Sequence, residues 1–467
     1  MKTAPWVPPM AAGVVAALVY ANAPANGFVL DDRGIILQNP LVQDPARAWQ
    51  AFVSPYWPAA VGGGQYRPLG ILSFALDHAI AGNSAAWFHV VNVGWHVAAT
   101  VLVSMLALSL GGLAMALAAG LVFAVHPVHV EAVANLVGRL ELMAATFGLA
   151  TVLLHRRRSP WAVVTFAAAL GSKESAVVYP VLALLLDRLP GAPPRPARPL
   201  WIGYAVVFAV WVGLMSYALR DSALSTSSAV FAGLSLPERL LTVVSIVPHY
   251  ARLLLAPAQL SADYEPGVIT AVRRVTPMVL AGLLVILLAA IVAWRTRRQA
   301  PIVAVAMAWV VVAIAPVSNV VMVTGVALAE RTLYLASAAV ALVVGWLVAR
   351  APASRMTAPL LLGGLVVAGA WRTWTRTPVW EDSRSFALQL LEDHPESYRG
   401  HWVAARVLRS GGDLPAAARE YAVAHSIYPG DTVMLREAAD VAQALGDGAG
   451  VMRWRAVADS LQLARAR

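Results

Sequence analysis

Phe28-Val29-Leu30-Asp31-Asp32-Arg33 ends the first apolar stretch of the chain, residues 7–28. Two adjacent carboxylates at the edge of a hydrophobic segment are costly to desolvate, and packing alone seldom places them there. A long polar loop, 31–87, follows, and then at least ten further apolar stretches. One hydrophobic span, an acidic pair, and a long series of further spans together describe a polytopic helical membrane protein with chemistry at one membrane face.

Composition agrees. Of 467 residues, 59% are hydrophobic and 13% are charged, and the mean hydropathy is +0.67. A soluble globular domain is about a quarter charged. The formal charge of +10 lies largely in short clusters between apolar runs: His155-Arg156-Arg157-Arg158, Arg195 to Arg198, Arg295 to Arg298, and Arg350 with Arg355. This is the pattern of cytoplasmic loops under the positive-inside rule, so no nucleic-acid partner is implied. Cysteine is absent, which excludes disulfide and thiolate chemistry. Only Lys2 precedes the stretch 7–21, and no small-x-small cleavage site follows it, so it is expected to be a retained first span.

A span needs about 20 apolar residues. Eleven spans are expected, near 7–28, 88–110, 112–127, 139–154, 160–171, 174–187, 199–219, 276–294, 300–317, 330–349 and 357–372. Segment 238–256 is apolar but carries Pro248, His249 and Arg252. Were it to cross, Arg295 to Arg298 would face outward, so a re-entrant or interfacial position is expected. With the N-terminus inside, the basic loops are cytoplasmic and the C-terminus is outside. The polar groups that look functional then share the outer face, and one outer-face site is expected.

From about residue 382 the charge rises and the apolar runs shorten. Pro395 and Pro429 are 34 residues apart, as are Gly412 and Gly446, with Ala405, Ala417, Tyr421 and Ala424 between the prolines. Small residues where helices touch, Gly at the turn and Pro after the second helix fit a tetratricopeptide repeat. The expected organisation is a membrane domain at 1–375 and a repeat-like helical domain at 376–467, outside the cell membrane.

Several groups are candidates for the site. Asp31 and Asp32 suit a general base and its partner, since adjacent carboxylates rarely titrate alike. Arg67, after the glycine run 62–64, has the forked donors that match phosphate or carboxylate; a structural salt bridge to Asp31 or Asp32 is the alternative. Pro127 stops one helix and suits the start of the next. Glu131, Asn135 and Arg139, spaced by four, are then expected on one helix face. His126 and His129 fit either a metal or a helix cap. A divalent cation on Asp31, Asp32 and Glu131 is compatible with the sequence, and no cofactor is required by it. Ser172 is expected to cap the helix after it, leaving Lys173 and free amides for phosphate; the alternative is a hairpin in which Lys173 and Glu174 pair. Tyr264, Glu330, Arg331 and Tyr334 complete the set. Arg67, Arg139, Lys173 and Arg331 would hold a phosphate leaving group while a carboxylate deprotonates the attacking hydroxyl.

The stretches FVLDDRGIILQNPLV (28–42), YRPLGILSFALDHAIAGNSAAWFHVVNVGWHVAATVL (66–102), HPVHVEAVANLVGRLELMA (126–144), SKESAVVYPVLALLLD (172–187), AERTLYL (329–335) and the repeat tail resemble one family. It is that of the transmembrane and tetratricopeptide-repeat O-mannosyltransferases, integral-membrane glycosyltransferases of the C-type (GT-C) fold. The resemblance implies an all-α enzyme that transfers a sugar from a polyprenyl-phosphate donor to Ser or Thr hydroxyls, outside the cytoplasm and with inversion. The acidic motif maps to Asp31-Asp32, with Asp32 preferred as base. The short tail leaves the acceptor open between protein and glycan. The Ala- and Arg-rich, cysteine-free composition suggests a bacterial member that uses undecaprenyl or decaprenyl phosphate. The rival readings are a transporter or flippase, which should show paired broken helices in two halves, and a membrane-anchored scaffold, which needs no clustered charges.

Overall fold

The structure, a computed structural model, describes residues 4–58, 64–189, 198–222, 228–352 and 356–466. Gly62, Gly63, Arg195 and Arg355, singled out above, lie outside the described residues. Every regular element among the described residues is helical. Among the described residues six helices are long and apolar enough to cross a membrane: Val7–Ala25, Ala85–Ala124, Leu136–Arg156, Arg198–Ala218, Pro277–Thr296 and Glu330–Arg350. The chain is a multi-pass membrane protein. Three more expected spans are shorter apolar helices, Trp161–Ser172, Glu174–Leu186 and Pro301–Val317, and the last is the helix Thr357–Arg376. Length and hydropathy by themselves thus single out six helices among the described residues, one of which, Ala85–Ala124, spans two of the eleven expected segments.

The centre of the bundle is Ala85–Ala124, which packs on the first helix, on Arg139–Arg156 and on Tyr334–Arg350. It is one helix only in name. Gly112 has φ +80° and ψ −165°, a conformation nearly closed to other residues. The two arms fold back on each other there: Ser104 Oγ donates to the Ala116 carbonyl at 2.8 Å, and His96 Nε2 lies 3.1 Å from the Ala124 carbonyl. Gly120 is where the backbones crowd, since a Cβ on it would come within 2.7 Å of Ala12 and 2.9 Å of Ser104. At the periphery, Arg198–Ala218 and Pro277–Thr296 are only 11% buried. Such bare apolar helices fit hydrocarbon rather than water. The segment 238–256 forms a continuous helix, Leu236–Leu255, that takes Pro248 inside it and packs on Pro277–Thr296.

The loop after the first span is less polar than expected. It carries a 14-residue apolar helix, Pro68–Ala81, and a small core of its own around Ile35, Ile36, Val42, Tyr56 and Phe74. Asn22 and Asn26 side chains donate to the Trp374 and Thr377 carbonyls, both at 3.0 Å, and Gly27 N donates to the Glu381 carbonyl at 2.7 Å. The segment leading into Asp31 is thus tied to the linker that enters the tail.

The tail comprises Ser383–Asp393, Tyr398–Ser410, Leu414–Ile427, Thr432–Ala444 and Gly448–Ala466. Tyr398 and Thr432 begin equivalent helices, as do Leu414 and Gly448, each pair 34 residues apart. Gly412 and Gly446 sit in the turns at φ +85° and +74°, which is why the glycines share the helix period. Ala405, Ala417, Tyr421 and Ala424 are buried between the helices.

Candidate active site

The acidic pair divides into two unlike carboxylates. Asp32 is 1% exposed. Its Oδ2 accepts from Val29 N at 2.9 Å and its Oδ1 from Val137 N at 3.1 Å. Asp32 therefore closes a tight turn on itself and pins the first loop to the start of the helix after Leu136. The turn holds Leu30 at φ +50°, a left-handed conformation that costs a non-glycine residue of order 1–3 kcal/mol. Burial pushes the Asp32 carboxyl up to about 7, with Asp31 adding to the rise, against the two amides and Arg139. Asp31 is exposed and, among the described residues, makes no hydrogen bond or ion pair. Its charge instead acts on Arg331, Arg399 and Tyr56.

Three of the four expected cations meet in this region, each held by one acid. Arg67 forks onto Glu174, with Nε 2.9 Å from Oε2 and Nη2 2.5 Å from Oε1, and lies over the Tyr56 ring. Lys173 pairs with Glu141. Arg331 pairs with Glu131, whose other oxygen accepts the Arg331 backbone amide at 2.8 Å. The sequence alternatives are thereby corrected: Arg67 does not bridge to Asp31 or Asp32, and Lys173 and Glu174 do not pair with each other. Ser172 is no cap either, because its hydroxyl donates back to the Ala168 carbonyl and Lys173 is extended. Glu131 faces Arg331, and among the described residues no group of three or more His, Asp or Glu is gathered for a metal.

Arg139 stands apart. It is fully buried, paired with Asp77, and donates also to Ser73 Oγ, Asn92 Oδ1 and the Phe88 carbonyl. The Phe74 and Phe88 rings cover its guanidinium. No face is left for a ligand. The expected stripe Glu131, Asn135, Arg139 is also broken: the chain runs through Pro127–His129, Val130–Val133 and Leu136–Gly138 as separate short turns, with Asn135 extended between them. Gly138 permits the fold, since a Cβ there would lie 2.4 Å from the Ala132 carbonyl.

The remaining candidates tie segments together. His126 caps its turn by accepting from Val128 N and faces the Leu254 carbonyl at 3.1 Å. His129 Nε2 meets Ser337 Oγ at 2.7 Å. Tyr334 reaches His96 at 2.8 Å. Glu330 accepts from Ser261 N at 2.6 Å and from Tyr264 Oη at 2.7 Å. A small, partly open cleft with room for about one water lies beside the Lys173–Glu141 pair, lined by Glu141, Ser175, Tyr179, Thr332 and Tyr334, with Ala144, Ala313 and Leu335 as apolar wall.

Sequence reading missed four of these residues. Glu141 and Asp77 are acids inside apolar helices, which by itself marks them for a purpose. Tyr56 carries no such signal: its hydroxyl is buried with no partner among the described residues, Arg67 lies over its ring, and the charges of both aspartates and Arg331 act on it. Arg399 is one of many arginines in the tail. It pairs with Asp263 at 3.1 Å, without hydrogen-bond geometry. Burial pushes the Asp263 and Glu265 carboxyls up, Asp263 adding to the rise at Glu265, while Arg399 pulls both down.

With this geometry in place, comparison with known proteins is informative. Protein O-mannosyl-transferase F38B6.6 of Caenorhabditis elegans is 25% identical over 422 residues, covering 86% of this chain and 60% of the relative. Tmtc2 of Drosophila melanogaster is 33% identical over 290 residues, 56% of this chain and 31% of the relative. Human TMTC1 is 25% identical over 481 residues, 88% and 54% respectively. The chain is a relative of proteins named TMTC protein O-mannosyl-transferases. It spans at most about 60% of the length of these relatives. No family model and no solved structure matches it.

Proposed function

We propose that this chain transfers a sugar, mannose by analogy with its relatives' names, from a polyprenyl-phosphate donor to a Ser or Thr hydroxyl of a protein. One observation carries the reading: Asp31 is an exposed carboxylate, unpaired among the described residues, in a neighbourhood that also holds Arg67, Lys173 and Arg331, each already held in place by a single acid. Asp31, rather than Asp32, takes the proton of the attacking hydroxyl, because both Asp32 oxygens are committed to backbone amides. The hydroxyl oxygen bonds to the anomeric carbon as the bond from that carbon to the phosphate oxygen breaks. One displacement inverts the centre. The cations stabilise the charge that builds on the leaving phosphate.

The reaction faces outward on this reading. Leu136–Arg156 and Glu330–Arg350 begin near the site and end in the basic groups Arg156 and Arg350. Basic ends favour the cytoplasm, which puts the site on the extracytoplasmic side. The same rule supports eleven crossings in a GT-C arrangement, with Leu236–Leu255 at the interface. The 34-residue helical hairpins of 376–467 support a repeat-like tail that engages a protein acceptor. Each of the three cations is already paired with an acid, so they offer hydrogen-bond donors to a phosphate rather than excess charge, and Asp31 is the carboxylate open, among the described residues, to a divalent cation. Transfer measured with and without EDTA decides the point.

The test is transfer of radiolabelled polyprenyl-phosphate mannose to a mixture of exported proteins by the reconstituted chain, beside Asp31→Asn. Label entering protein with the wild type and lost with the variant supports the reading. Donor consumed without labelled protein moves the acceptor to a glycan or to water. No consumption of any polyprenyl-phosphate sugar overturns it.

A further inference from the structure

Besides the Asn26 and Gly27 bonds to Thr377 and Glu381, the tail meets the membrane domain at the turn Ser261 to Val268. Gly267, at φ +109°, lies so close to the tail that a Cβ would sit 1.8 Å from the Glu396 carbonyl. The ring of Tyr264 faces that of His394 at 6.3 Å. Arg399, on the first hairpin helix of the tail, pairs with Asp263 at 3.1 Å. From this pair a continuous set of bonds runs inward. Ser261 Oγ donates to the Asp263 carbonyl at 2.7 Å, Ser261 N and Tyr264 Oη both donate to Glu330, and the next residue, Arg331, is bound through its amide and side chain to Glu131.

We propose that Arg399 is a positioning residue of the transfer site: through the 261–264 turn and Glu330 it fixes where Arg331 stands beside Asp31. The inference rests on the proposed donor phosphate as the ligand of Arg331. It gives the tail a second task besides meeting an acceptor, since its docking completes the wall from which a phosphate-binding cation projects. The arrangement is rigid because each link is a hydrogen bond or ion pair to a buried group: Asp263, Ser261, Glu330 and Glu131 are all buried. Asp263 needs the partner, being a buried carboxylate that no other cation pairs with among the described residues. Arg399 itself is about a third exposed, so its contribution is geometric rather than a strong isolated ion pair.

The experiment uses the full chain and Arg399→Met, with Asp263→Asn breaking the same pair from the other side and Arg399→Lys keeping the charge. Two readouts are taken together. Amide hydrogen exchange at 261–268 and 329–333 should quicken in Arg399→Met and Asp263→Asn, while the amide of Val137, which serves Asp32, is unchanged. KM for polyprenyl-phosphate mannose should rise about tenfold or more, as a displaced binding group does, while KM for the protein acceptor stays as in the wild type. Arg399→Lys should recover part of both effects. Combining Arg399→Met with Tyr264→Phe should cost less than the two losses together, because they interrupt one path. A lower thermal midpoint with unchanged exchange at 329–333, or with unchanged donor KM, would overturn the proposal and leave Arg399 as a docking contact only. Quickened exchange at 329–333 in a chain whose wild type consumes no polyprenyl-phosphate sugar would uphold the link from tail to Arg331 and overturn the donor reading instead.

Discussion

Arg139 and Arg331 both lie near the acidic pair, both are bound to a buried acid, and they do opposite things. Arg139 is wholly enclosed: Asp77, Ser73, Asn92 and a carbonyl take its donors, and two phenylalanines cover its faces. Arg331 has one acid, Glu131, its side chain remains 27% exposed, and Asp31 stands nearby with no partner among the described residues. A saturated cation fixes the fold, and a cation with donors to spare can receive a ligand. The same contrast separates the two aspartates. Distance from the acidic pair does not sort these residues; the number of unspent polar atoms does.

The sharpest way to break this contrast is at the aspartates. Asp31→Asn should lower transfer by roughly 10²–10⁴-fold, the range for loss of a general base, with the thermal midpoint unchanged. Asp31→Asn protein that melts early, or that transfers normally, would put the base elsewhere.

At the arginines the expected effects trade places. Arg139→Met leaves Asp77 buried and unpaired, which costs about 3–5 kcal/mol. Folded yield in membranes should collapse, and Asp77→Leu in the same chain should restore much of it, since an apolar pair can replace a buried ion pair at little cost. Arg331→Met should fold and should lose transfer by about 10²-fold. A stable Arg139→Met enzyme with a raised donor KM would return Arg139 to the phosphate site.

Much of this was legible beforehand, and the exceptions share a cause. Composition and apolar runs give the helical membrane class because each span declares itself within its own 20 residues. Gly412 and Gly446 announce the hairpin turns for the same local reason. Asp31-Asp32, Arg67, Glu131, Lys173, Glu174 and Glu330-Arg331 were recognised as candidates because charge is conspicuous in apolar sequence. What the sequence hides is pairing. Glu174 chooses Arg67, which lies 107 residues away, over the adjacent Lys173. The helical spacing of Glu131, Asn135 and Arg139 fails because Gly138 packs its backbone against Ala132, a contact no periodicity reports. Asp32 differs from Asp31 by its burial and two amides, one of which comes from Val137, 105 residues away.

Asp32 sits on the border between the two regions, and pH should reveal it. An unfolded aspartate titrates near 3.9, and the folded one at about 7. Between these values the folded chain keeps a proton that the unfolded chain has released. Stability therefore falls as pH rises from about 4 to about 7 and levels off above, by at most about 4 kcal/mol from this group. Asp263 and Glu265, also raised by burial, add to the same slope. Thermal midpoints across pH 4–8 should decline in the wild type and decline less steeply in Asp32→Asn. The Asn variant should be the less stable of the two at pH 4, because its amide cannot accept from both Val29 and Val137. Equal slopes would mean that Asp32 keeps its charge throughout and that the two amides outweigh burial.

The smallest stability effect belongs to Tyr56, and it separates fold from function most cleanly. Its hydroxyl is buried with no partner among the described residues, and Arg67 lies over its ring. An unsatisfied buried hydroxyl costs about 1–3 kcal/mol, so Tyr56→Phe should leave stability unchanged or raise it slightly, a rare outcome for a buried polar residue. If the ligand satisfies that hydroxyl, the same variant should lose about tenfold in transfer, or about 1.4 kcal/mol, one hydrogen bond. Loss of transfer with a steady or raised midpoint places Tyr56 among the unspent groups, with Asp31 and Arg331. Unchanged transfer places it with Arg139, as part of the scaffold that the first loop folds around.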